Sequence, residues 1–427
     1  MKRKLIGPFQ EMVTMSGMPL KGPLQDVDLS VLQEGGIVIE RDQIVEVGGF
    51  QQLRGKHTGP DVEFIWQAPG SIALPGYIDC HTHIAFGGAR AADFAMRNAG
   101  CTYLDIAEAG GGIWSTVRDT RASDEATLVE WTIRRAFNLL KQGVTTIEVK
   151  SGYGLTVKEE LKMLRAIQRA DRECVSDLVP TCLAAHMLPH DFKESAAIYL
   201  QQLVDELFPV LKEEKLSSRI DAFVEKGAFS ADTIRPYLCQ AKDQGFDLTL
   251  HADQFTVSGT ALAVELQAKS ADHLEASGTE EIAYLAASDT VAVALPAASL
   301  GLGCAFAPAR ALLDRGACLA IATDWNPGSA PMGNLMTSAS ILAAREKLSN
   351  AELFAAITYR AAHALGLEDR GRIEAGMKAD LVIYNVESYP YISYLQGSVM
   401  PVAVWKNGQE AFRNTQANAD RSISSMY

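Results

Sequence analysis

The strongest constraint on this chain is a pair of histidines, His81 and His83, at the end of an apolar run that begins at Leu74. In a β-strand, residues i and i+2 point to the same face, so both imidazoles can converge on one metal ion. Two histidines on one strand face are about as often ordinary core or surface residues. The rest of the sequence is needed to distinguish a metal site from a pair of ordinary histidines.

Short apolar strand candidates alternate with longer amphipathic segments along most of the chain. The strand candidates are Ile72–Cys80, Val144–Val149, Leu178–Ala185, Ile220–Val224, Phe246–Leu250, Ser270–Asp272, Thr290–Leu295 and Cys318–Ala322. The segments between them have helical periodicity; residues 124–142 stop at Gly143, and Thr156 with Glu159 suggests a capping box. Eight strands interleaved with helices predict an α/β fold, a (β/α)8 TIM-like barrel.

The two ends of the chain have a different pattern. Glu34–Gly48 reads as a β-hairpin with Arg41 and Asp42 at its turn, and residues 379–384 and 402–408 are strand-like. We therefore predict a small β-sandwich domain formed by both chain termini, residues 1–70 with 371–427, and a barrel domain over residues 71–370. The polar tail after Arg413 is expected to be loose.

The composition, with 48% hydrophobic and 21% charged residues, is typical of an ordinary globular protein. A net charge of -13 argues against a nucleic-acid or anionic-membrane partner, and a small anionic substrate would need local cations. Seven scattered cysteines without a C-x-x-C pair, and no recognisable signal peptide, predict reduced thiols in the cytoplasm. Prolines and glycines interrupt the uncharged stretch Thr290–Ala309, which predicts a buried strand and loop rather than a membrane helix.

Histidines cluster at the carboxyl ends of the strand candidates, where barrel enzymes carry their active sites. Five of the eight histidines have such a position: His81, His83, His186, His251 and His273. Asp324 follows the last strand candidate and supplies a carboxylate, so the set suits zinc or iron with an open position for water. The alternative is a group of unrelated core histidines, but burying them with a carboxylate and no metal would be costly. We assign structural or surface roles to His57, His190 and His363.

Four segments around these residues narrow the possibilities. They are Asp-Cys-His-Thr-His at 79–83, Val-Lys-Ser-Gly-Tyr-Gly-Leu at 149–155, His-Ala-Asp-Gln at 251–254 and Ala-Thr-Asp-Trp-Asn-Pro-Gly-Ser at 322–329. The chain resembles the amidohydrolase superfamily of metal-dependent hydrolases and, within it, the imidazolonepropionase family, over nearly its whole length. The H-x-H motif alone indicates only the superfamily. The Lys-Ser-Gly-Tyr-Gly and Asp-Trp-Asn-Pro-Gly-Ser runs are the segments that resemble the imidazolonepropionase family in particular.

The resemblance implies a hydrolase of histidine degradation that converts 4-imidazolone-5-propanoate and water to N-formimidoyl-L-glutamate. It implies attack of a metal-bound hydroxide on the lactam carbonyl, with Asp324 accepting a proton and His186 or His273 protonating the leaving nitrogen. One divalent or trivalent ion per chain, zinc or iron, would be held by His81, His83, His251 and Asp324. We predict that neither Lys150 nor Lys226 is a carboxylated metal ligand.

The family pattern also implies a set of substrate contacts. Arg90 and Tyr153 are the expected partners of the propionate carboxylate, because an arginine can pair with it through two hydrogen bonds. Tyr103 is a weaker candidate. Gln254 is limited to hydrogen bonding, since an amide is neither an acid nor a base. The remaining contacts carried over, to the ring or the new product carboxylate, come from His186, Asn326, Gly328 and Ser329. Without the family, Arg90 reads as a surface arginine, Tyr153 as a loop tyrosine and Pro327-Gly328 as a plain turn.

Two alternatives stay open. The same constellation would serve deamination or hydrolysis of another cyclic amide, such as a hydantoin or dihydropyrimidine. The chain could also be a catalytically silent scaffold, although intact metal ligands argue against that. A homodimer would suit a barrel enzyme of this size, but no interface is readable from the sequence.

Overall fold

In the computed structural model, the middle of the chain forms a parallel eight-stranded sheet in the order β13-β12-β11-β10-β9-β8-β7-β6. These strands are β6 Tyr77–Asp79, β7 Val144–Lys150, β8 Asp177–Ala185, β9 Arg219–Val224, β10 Asp247–Ala252, β11 Ser270–His273, β12 Val291–Ala294 and β13 Leu319–Ile321. A parallel bridge between Thr82 and Trp325 joins the segments that follow the first and last strands. The sheet therefore curls into the predicted barrel.

Helices cover the outside of this barrel. Asp124 caps one of them by accepting a hydrogen bond from the backbone of Thr127, and Gly143 follows its end with a φ of +97°. Thr156 caps the next by accepting from the backbone of Glu159, but the Glu159 carboxylate pairs with Lys162, so only half of the predicted capping box forms. The helices are α1 Phe50–Lys56, α2 Ala91–Asn98, α3 Tyr103–Glu108, α4 Ile113–Ala122, α5 Glu125–Lys141, α6 Val157–Glu173, α7 Ala196–Gln202, α8 Phe208–Glu213, α9 Ala231–Asp243, α10 Thr260–Glu265, α11 Thr279–Ala286, α12 Pro296–Leu302, α13 Ala309–Asp314, α14 Leu335–Glu346, α15 Asn350–Ala356, α16 Tyr359–Ala364 and α17 Pro390–Tyr394.

The two ends of the chain form a second, mostly antiparallel sheet in the order β16-β15-β14-β5-β1-β2-β3, with β4 also paired to β1. Its strands are β1 Arg3–Val13, β2 Val31–Glu40, β3 Gln43–Gly49, β4 Val62–Trp66, β5 Ser71–Pro75, β14 Leu381–Asn385, β15 Ala403–Lys406 and β16 Gln409–Arg413. One apolar core contains Ile37 and Ile44 from one half of this sheet together with Leu381 and Trp405 from the other. The sheet therefore folds over so that its two halves pack against each other.

The junction between the two sheets corrects one strand boundary. The predicted strand Ile72–Cys80 is two strands, because β5 pairs with β1 and β14 of the terminal sheet whereas β6 pairs with β7 of the barrel. The break is at Gly76, whose backbone N–H donates to Asp380, and a Cβ there would clash with the Thr145 side chain. An apolar run alone does not reveal which sheet each half joins.

The structure describes residues 2–415, apart from the side chains of Tyr103, Leu104 and Ala107. The weaker substrate candidate Tyr103 and all of the predicted loose tail beyond residue 415 therefore lie outside the described part. In the stretch from Thr290 to Ala309, β12 is followed by α12 where a loop was predicted. Among the described residues, no helix has the length and apolar character needed to cross a membrane.

Candidate metal centre and active site

Three histidines meet at the carboxyl ends of the barrel strands. His81 and His83 follow β6, and His251 lies near the end of β10. Nε2 of His83 lies 3.3 Å from Nε2 of His81 and 3.3 Å from Nε2 of His251, and all three residues are buried. Their ligand atoms lie within 4.8 Å of one another. Three imidazole nitrogens thus converge on one point.

Asp324 completes this group from the segment after β13. Its Oδ1 lies 3.5 Å from Nε2 of His81 and 3.3 Å from Nε2 of His83. A φ of +50° at Asp324 turns the chain there, and its backbone N–H donates to the carbonyl of His81. Burial opposes ionisation, but the neighbouring imidazoles of His81 and His83 hold the pKa of Asp324 well below its usual range. The carboxylate is therefore ionised and faces the histidines.

The donor set fits a divalent metal ion. Asp324 Oδ1 is buried without a hydrogen-bond partner among the described residues, although it faces two imidazoles. A buried carboxylate oxygen in this state would be costly unless a cation satisfies it. Three imidazole nitrogens and one carboxylate oxygen are ordinary ligands of zinc and of other first-row metals.

Two of the histidines have a carboxylate next to Nδ1, the ring nitrogen that does not face the cluster. His81 donates a hydrogen bond from Nδ1 to Oδ2 of Asp272 over 2.6 Å, and Nδ1 of His251 lies 3.0 Å from Oδ2 of Asp221. Burial works against ionisation of Asp272, but the His81 hydrogen bond and nearby positive charges lower its pKa to about 2. Burial would also lower the pKa of His81, yet its two carboxylate partners, Asp272 and Asp324, raise that pKa to about 9. Binding a metal at His81 therefore releases a proton.

Two more histidines border this centre. The His186 ring stacks on that of His83 with centroids 5.8 Å apart, and its Nδ1 donates to the Gly152 carbonyl over 2.9 Å. Burial, reinforced by positive charge at His83, lowers the pKa of His186 to about 4. The His273 ring lies 5.2 Å from that of His251, and its Nδ1 is 3.5 Å from Oε2 of Glu275. Both predicted acid–base candidates are therefore next to the metal ligands.

Arg90 and Tyr153 approach the same region from two loops. The Tyr153 ring lies 5.9 Å from the His83 ring and 5.7 Å from the His186 ring. Burial raises the pKa of Tyr153, with a further increase from Asp324, whereas Arg90 opposes the shift. Arg90 pairs through Nε with Asp93 at 2.7 Å, and a Cβ on residue 328 would clash with its Nη1. Gly328 thus leaves room for the guanidinium, whose two terminal nitrogens have no hydrogen-bond partner among the described residues.

The remaining predicted contacts differ in how much of their side chain is available. Asn326 donates from Nδ2 to the Asp324 carbonyl, and its Oδ1 accepts from the backbone of Gly328 and Ser329. This amide therefore holds the turn after Asp324. Gln254 is 9% exposed, and its side chain has no hydrogen bond to the described residues. The neighbouring carboxylate of Glu225 accepts from the backbone of Phe255 and so fixes the loop that carries Gln254.

Residues 72–411 match the amidohydrolase family. The imidazolonepropionase of Bdellovibrio bacteriovorus is 40% identical over 412 residues, which cover 96% of this chain and 96% of that protein. The imidazolonepropionase of Rubrobacter xylanophilus is 44% identical over 393 residues, covering 91% and 94%. The chain belongs to the imidazolonepropionase branch of the amidohydrolase family. As a family member it is a metal-dependent hydrolase.

Solved amidohydrolase-fold structures agree with the barrel and the terminal sheet. A triazine hydrolase variant superposes with a TM-score of 0.73 at 18% identity, covering 99% of both chains. An adenosine deaminase from Xanthomonas campestris with bound zinc superposes with a TM-score of 0.69, also at 18% identity and 99% coverage of both chains. At this identity the likeness supports the fold alone.

The charged residues behind the metal centre were not predicted. Glu148, Lys150 and Asp221 lie inside buried parallel strands, and Asp272 directly precedes His273. Strands of this kind normally read as continuous apolar runs. A charge inside such a run is therefore a signal that could have identified these residues. What each of them contacts depends on strand order and is not encoded locally.

Proposed function

We propose that this amidohydrolase cleaves the ring of 4-imidazolone-5-propanoate with water and releases N-formimidoyl-L-glutamate. The observation that carries the proposal is the combination of a buried cluster of three histidines and Asp324 with an arginine whose terminal nitrogens have no partner among the described residues. The first feature suits hydrolysis of an amide bond, and the second suits a substrate that carries a carboxylate. Family membership at this level of identity supports the same reaction.

We propose that His81, His83, His251 and Asp324 hold one zinc or iron ion. When bound, such an ion acts as a Lewis acid and lowers the pKa of a water molecule from ~15.7 towards ~7. The Asp324 carboxylate is ionised and accepts a proton from the water as it adds to the ring carbonyl carbon. The ring C–N bond then breaks, and the departing nitrogen needs a proton.

We assign delivery of that proton to His273. His186 donates from Nδ1 to the Gly152 carbonyl, so its Nε2 is an acceptor in the neutral ring and has no proton to give. Its pKa of about 4 agrees with a neutral ring at pH 7. His186 is therefore suited to accept a hydrogen bond from a ring N–H of the substrate. The His273 ring is not committed in this way, because its Nδ1 has no hydrogen-bond partner among the described residues and lies 3.5 Å from Oε2 of Glu275.

The propionate carboxylate is assigned to Arg90 and Tyr153. Arg90 uses Nε to hold Asp93, which leaves Nη1 and Nη2 to form two parallel hydrogen bonds with an anion. Tyr153 keeps its proton because burial raises its pKa, so its hydroxyl can donate a third hydrogen bond. Arg90 supplies local positive charge for an anionic substrate in a chain whose net charge is -13.

We also propose a reduced, cytoplasmic setting and a homodimeric assembly. All seven cysteines are free thiols, and Cys80, Cys182 and Cys318 are buried. The free thiols support the reduced, cytoplasmic setting. The homodimer is proposed from the size of the enzyme alone. Sedimentation of the purified protein measures the oligomeric state directly.

The decisive experiment follows the ultraviolet absorbance of freshly generated 4-imidazolone-5-propanoate, with mass spectrometry of the product. We expect conversion to N-formimidoyl-L-glutamate that stops after chelation and returns with either zinc or iron(II), and the metal content of the isolated protein identifies the natural ion. Hydantoin and dihydrouracil are the matched alternative substrates. No turnover of the imidazolone by folded, metal-loaded protein, with turnover of another ring, would overturn the proposed substrate.

A further inference from the structure

Lys150 lies at the end of β7, where its side chain is fully buried inside the barrel. Its Nζ lies 2.8 Å from Oε2 of Glu148, 2.8 Å from Oδ2 of Asp221 and 3.7 Å from Oδ2 of Asp272. All three carboxylates are fully buried as well. One ammonium group is thus shared by three acidic side chains that have no access to water.

Two of these carboxylates contact the histidines of the metal centre from behind. Asp272 accepts from Nδ1 of His81, and Asp221 lies 3.0 Å from Nδ1 of His251. Glu148 has no such role, because its other oxygen contacts Thr181 at 2.5 Å and Arg219 at 3.6 Å. Lys150 is therefore linked to two of the proposed metal ligands, in each case through one intervening aspartate.

This geometry matters because a histidine binds a metal through only one nitrogen. A carboxylate at Nδ1 keeps the proton on that side of the ring and turns the Nε2 lone pair towards the ion. A buried carboxylate holds its position only when a counter-charge and hydrogen bonds compensate for the loss of water. For Asp221 and Asp272 the shared counter-charge is the ammonium group of Lys150.

We propose that Lys150 is a positioning residue for the metal centre, acting on His81 through Asp272 and on His251 through Asp221. The inference depends on the metal centre proposed above. It also explains why Lys150 is unsuited to be a carboxylated ligand: its amine is surrounded by carboxylates, and a carbamate there would add one more negative charge. His83 is a contrast, because among the described residues no carboxylate lies within ion-pair distance of its Nδ1, whereas Asp221 lies 3.0 Å from Nδ1 of His251.

The test measures metal binding, since activity alone would not separate positioning from general damage. Zinc affinity is measured by competition with a chromophoric chelator, and cobalt(II) is loaded so that its visible absorption reports the coordination geometry. For Lys150→Met we expect a loss of zinc affinity of about 10- to 100-fold, the usual effect of removing a residue that supports a metal ligand, together with a changed cobalt spectrum. Lys150→Arg keeps the charge and should retain most of the affinity.

Two further variants separate positioning from stability. The double variant Glu148→Gln with Lys150→Met removes an ion pair as a unit, so the buried net charge is unchanged and the protein should fold even if Lys150→Met does not. Its zinc affinity should still fall. Lys406→Met is the matched control, because Lys406 is also a buried lysine between two aspartates, Asp177 at 2.9 Å and Asp380 at 2.7 Å, but lies in the terminal sheet. It should lower the melting temperature and leave zinc affinity unchanged.

Wild-type zinc affinity and an unchanged cobalt spectrum in folded Lys150→Met, alone or combined with Glu148→Gln, would overturn the proposal. An equal loss of affinity in Lys406→Met would also overturn it, because the effect would then be one of overall stability. If the wild-type protein itself binds neither zinc nor cobalt, the metal centre fails first, and the role of Lys150 fails with it.

Discussion

Two clusters of charged side chains lie in different parts of this molecule, one fully buried and the other partly exposed. The barrel cluster lies next to the proposed metal ligands His81 and His251 and consists of Lys150 with Glu148, Asp221 and Asp272. The interface cluster lies at the amino end of β8, where Asp177 meets Arg370 at 2.5 Å, Lys406 at 2.9 Å and Lys378 at 3.4 Å. In the first cluster one cation is shared by three anions, whereas in the second one anion is shared by three cations.

The difference lies in what the charges contact. In the barrel cluster, two carboxylates hold histidines, and the neighbouring Asp324 has a buried oxygen without a hydrogen-bond partner in the described chain. In the interface cluster, the charges connect β8 of the barrel with β15 of the terminal sheet and none contacts the metal ligands. We infer that the barrel cluster serves catalysis at some cost in stability, and that the interface cluster serves stability alone.

The largest effect expected from this comparison is on turnover. Asp324→Asn removes a proposed metal ligand and the proposed proton acceptor, so we expect kcat/KM to fall by a factor of about 10³ or more, the scale seen when a group central to catalysis is lost. The circular dichroism spectrum should stay native, because asparagine has nearly the same shape. Steady-state kinetics and metal analysis measure the outcome. Near-normal turnover with a full complement of metal would remove Asp324 from the site.

Arg90 belongs to neither cluster, and its variant separates binding from chemistry. Arg90→Met removes two charge-assisted hydrogen bonds to the substrate carboxylate, so we expect KM to rise about 10- to 100-fold while kcat changes much less. Arg90→Lys should recover part of the loss, because it keeps the charge but not the paired geometry. A fall in kcat with unchanged KM would show that Arg90 has no part in holding the carboxylate.

The sequence predicted the barrel well because its signals are local. Apolar runs such as Val144–Val149 correspond to buried parallel strands, and histidines at strand ends meet because all eight strands point the same way. The split at Gly76 was missed because nothing in the run Ile72–Cys80 states that its first half pairs with β1 and β14. Membership of a sheet is decided by residues distant in the chain.

The candidate site, like the fold, could be predicted from the sequence only where its signals are local. The motifs predicted the candidate metal ligands, but the pairing of Asp272 with His81 joins residues 191 positions apart, and no local pattern encodes it. The substrate contact of Asn326 stays a prediction, but the structure shows that its amide also holds the turn after Asp324. A short polar residue beside Pro-Gly can form the turn as well as contact a ligand, and the turn-forming role is visible only in the three-dimensional contacts.

For the interface cluster we expect the opposite result, a loss of stability without a loss of activity. Asp177→Asn leaves Arg370, Lys406 and Lys378 without their shared anion, and we expect the free energy of unfolding to fall by about 2 kcal/mol. Arg370 and Lys406 keep Asp369 and Asp380 as partners, which limits the loss. The shift of the urea midpoint measures the effect, and kcat/KM should stay at the wild-type value. A loss of turnover without a loss of stability would contradict the separation of the two clusters.

The smallest expected effect is the pH dependence of the contribution that Asp177 makes to the free energy of unfolding. Burial alone would raise the pKa of Asp177, but Lys406, Arg370 and Lys378 lower it to about 2. In the unfolded chain the pKa is about 3.9, so the unfolded chain takes up a proton at a higher pH than the folded protein does. The stabilisation is therefore complete above about pH 5 and is lost as the pH falls from about 4 towards 2, by at most about 2 kcal/mol.

Urea unfolding of wild-type protein and Asp177→Asn at pH 6, 4 and 3, at constant ionic strength, measures this loss. Because asparagine does not titrate, the difference in unfolding free energy between the two proteins should be largest at pH 6 and should shrink by pH 3. Most other acidic groups contribute equally to both proteins and cancel in the difference. A gap that stays constant from pH 6 to pH 3 would show that Asp177 is not held by its three cations, and the contrast between the clusters would then rest on the barrel alone.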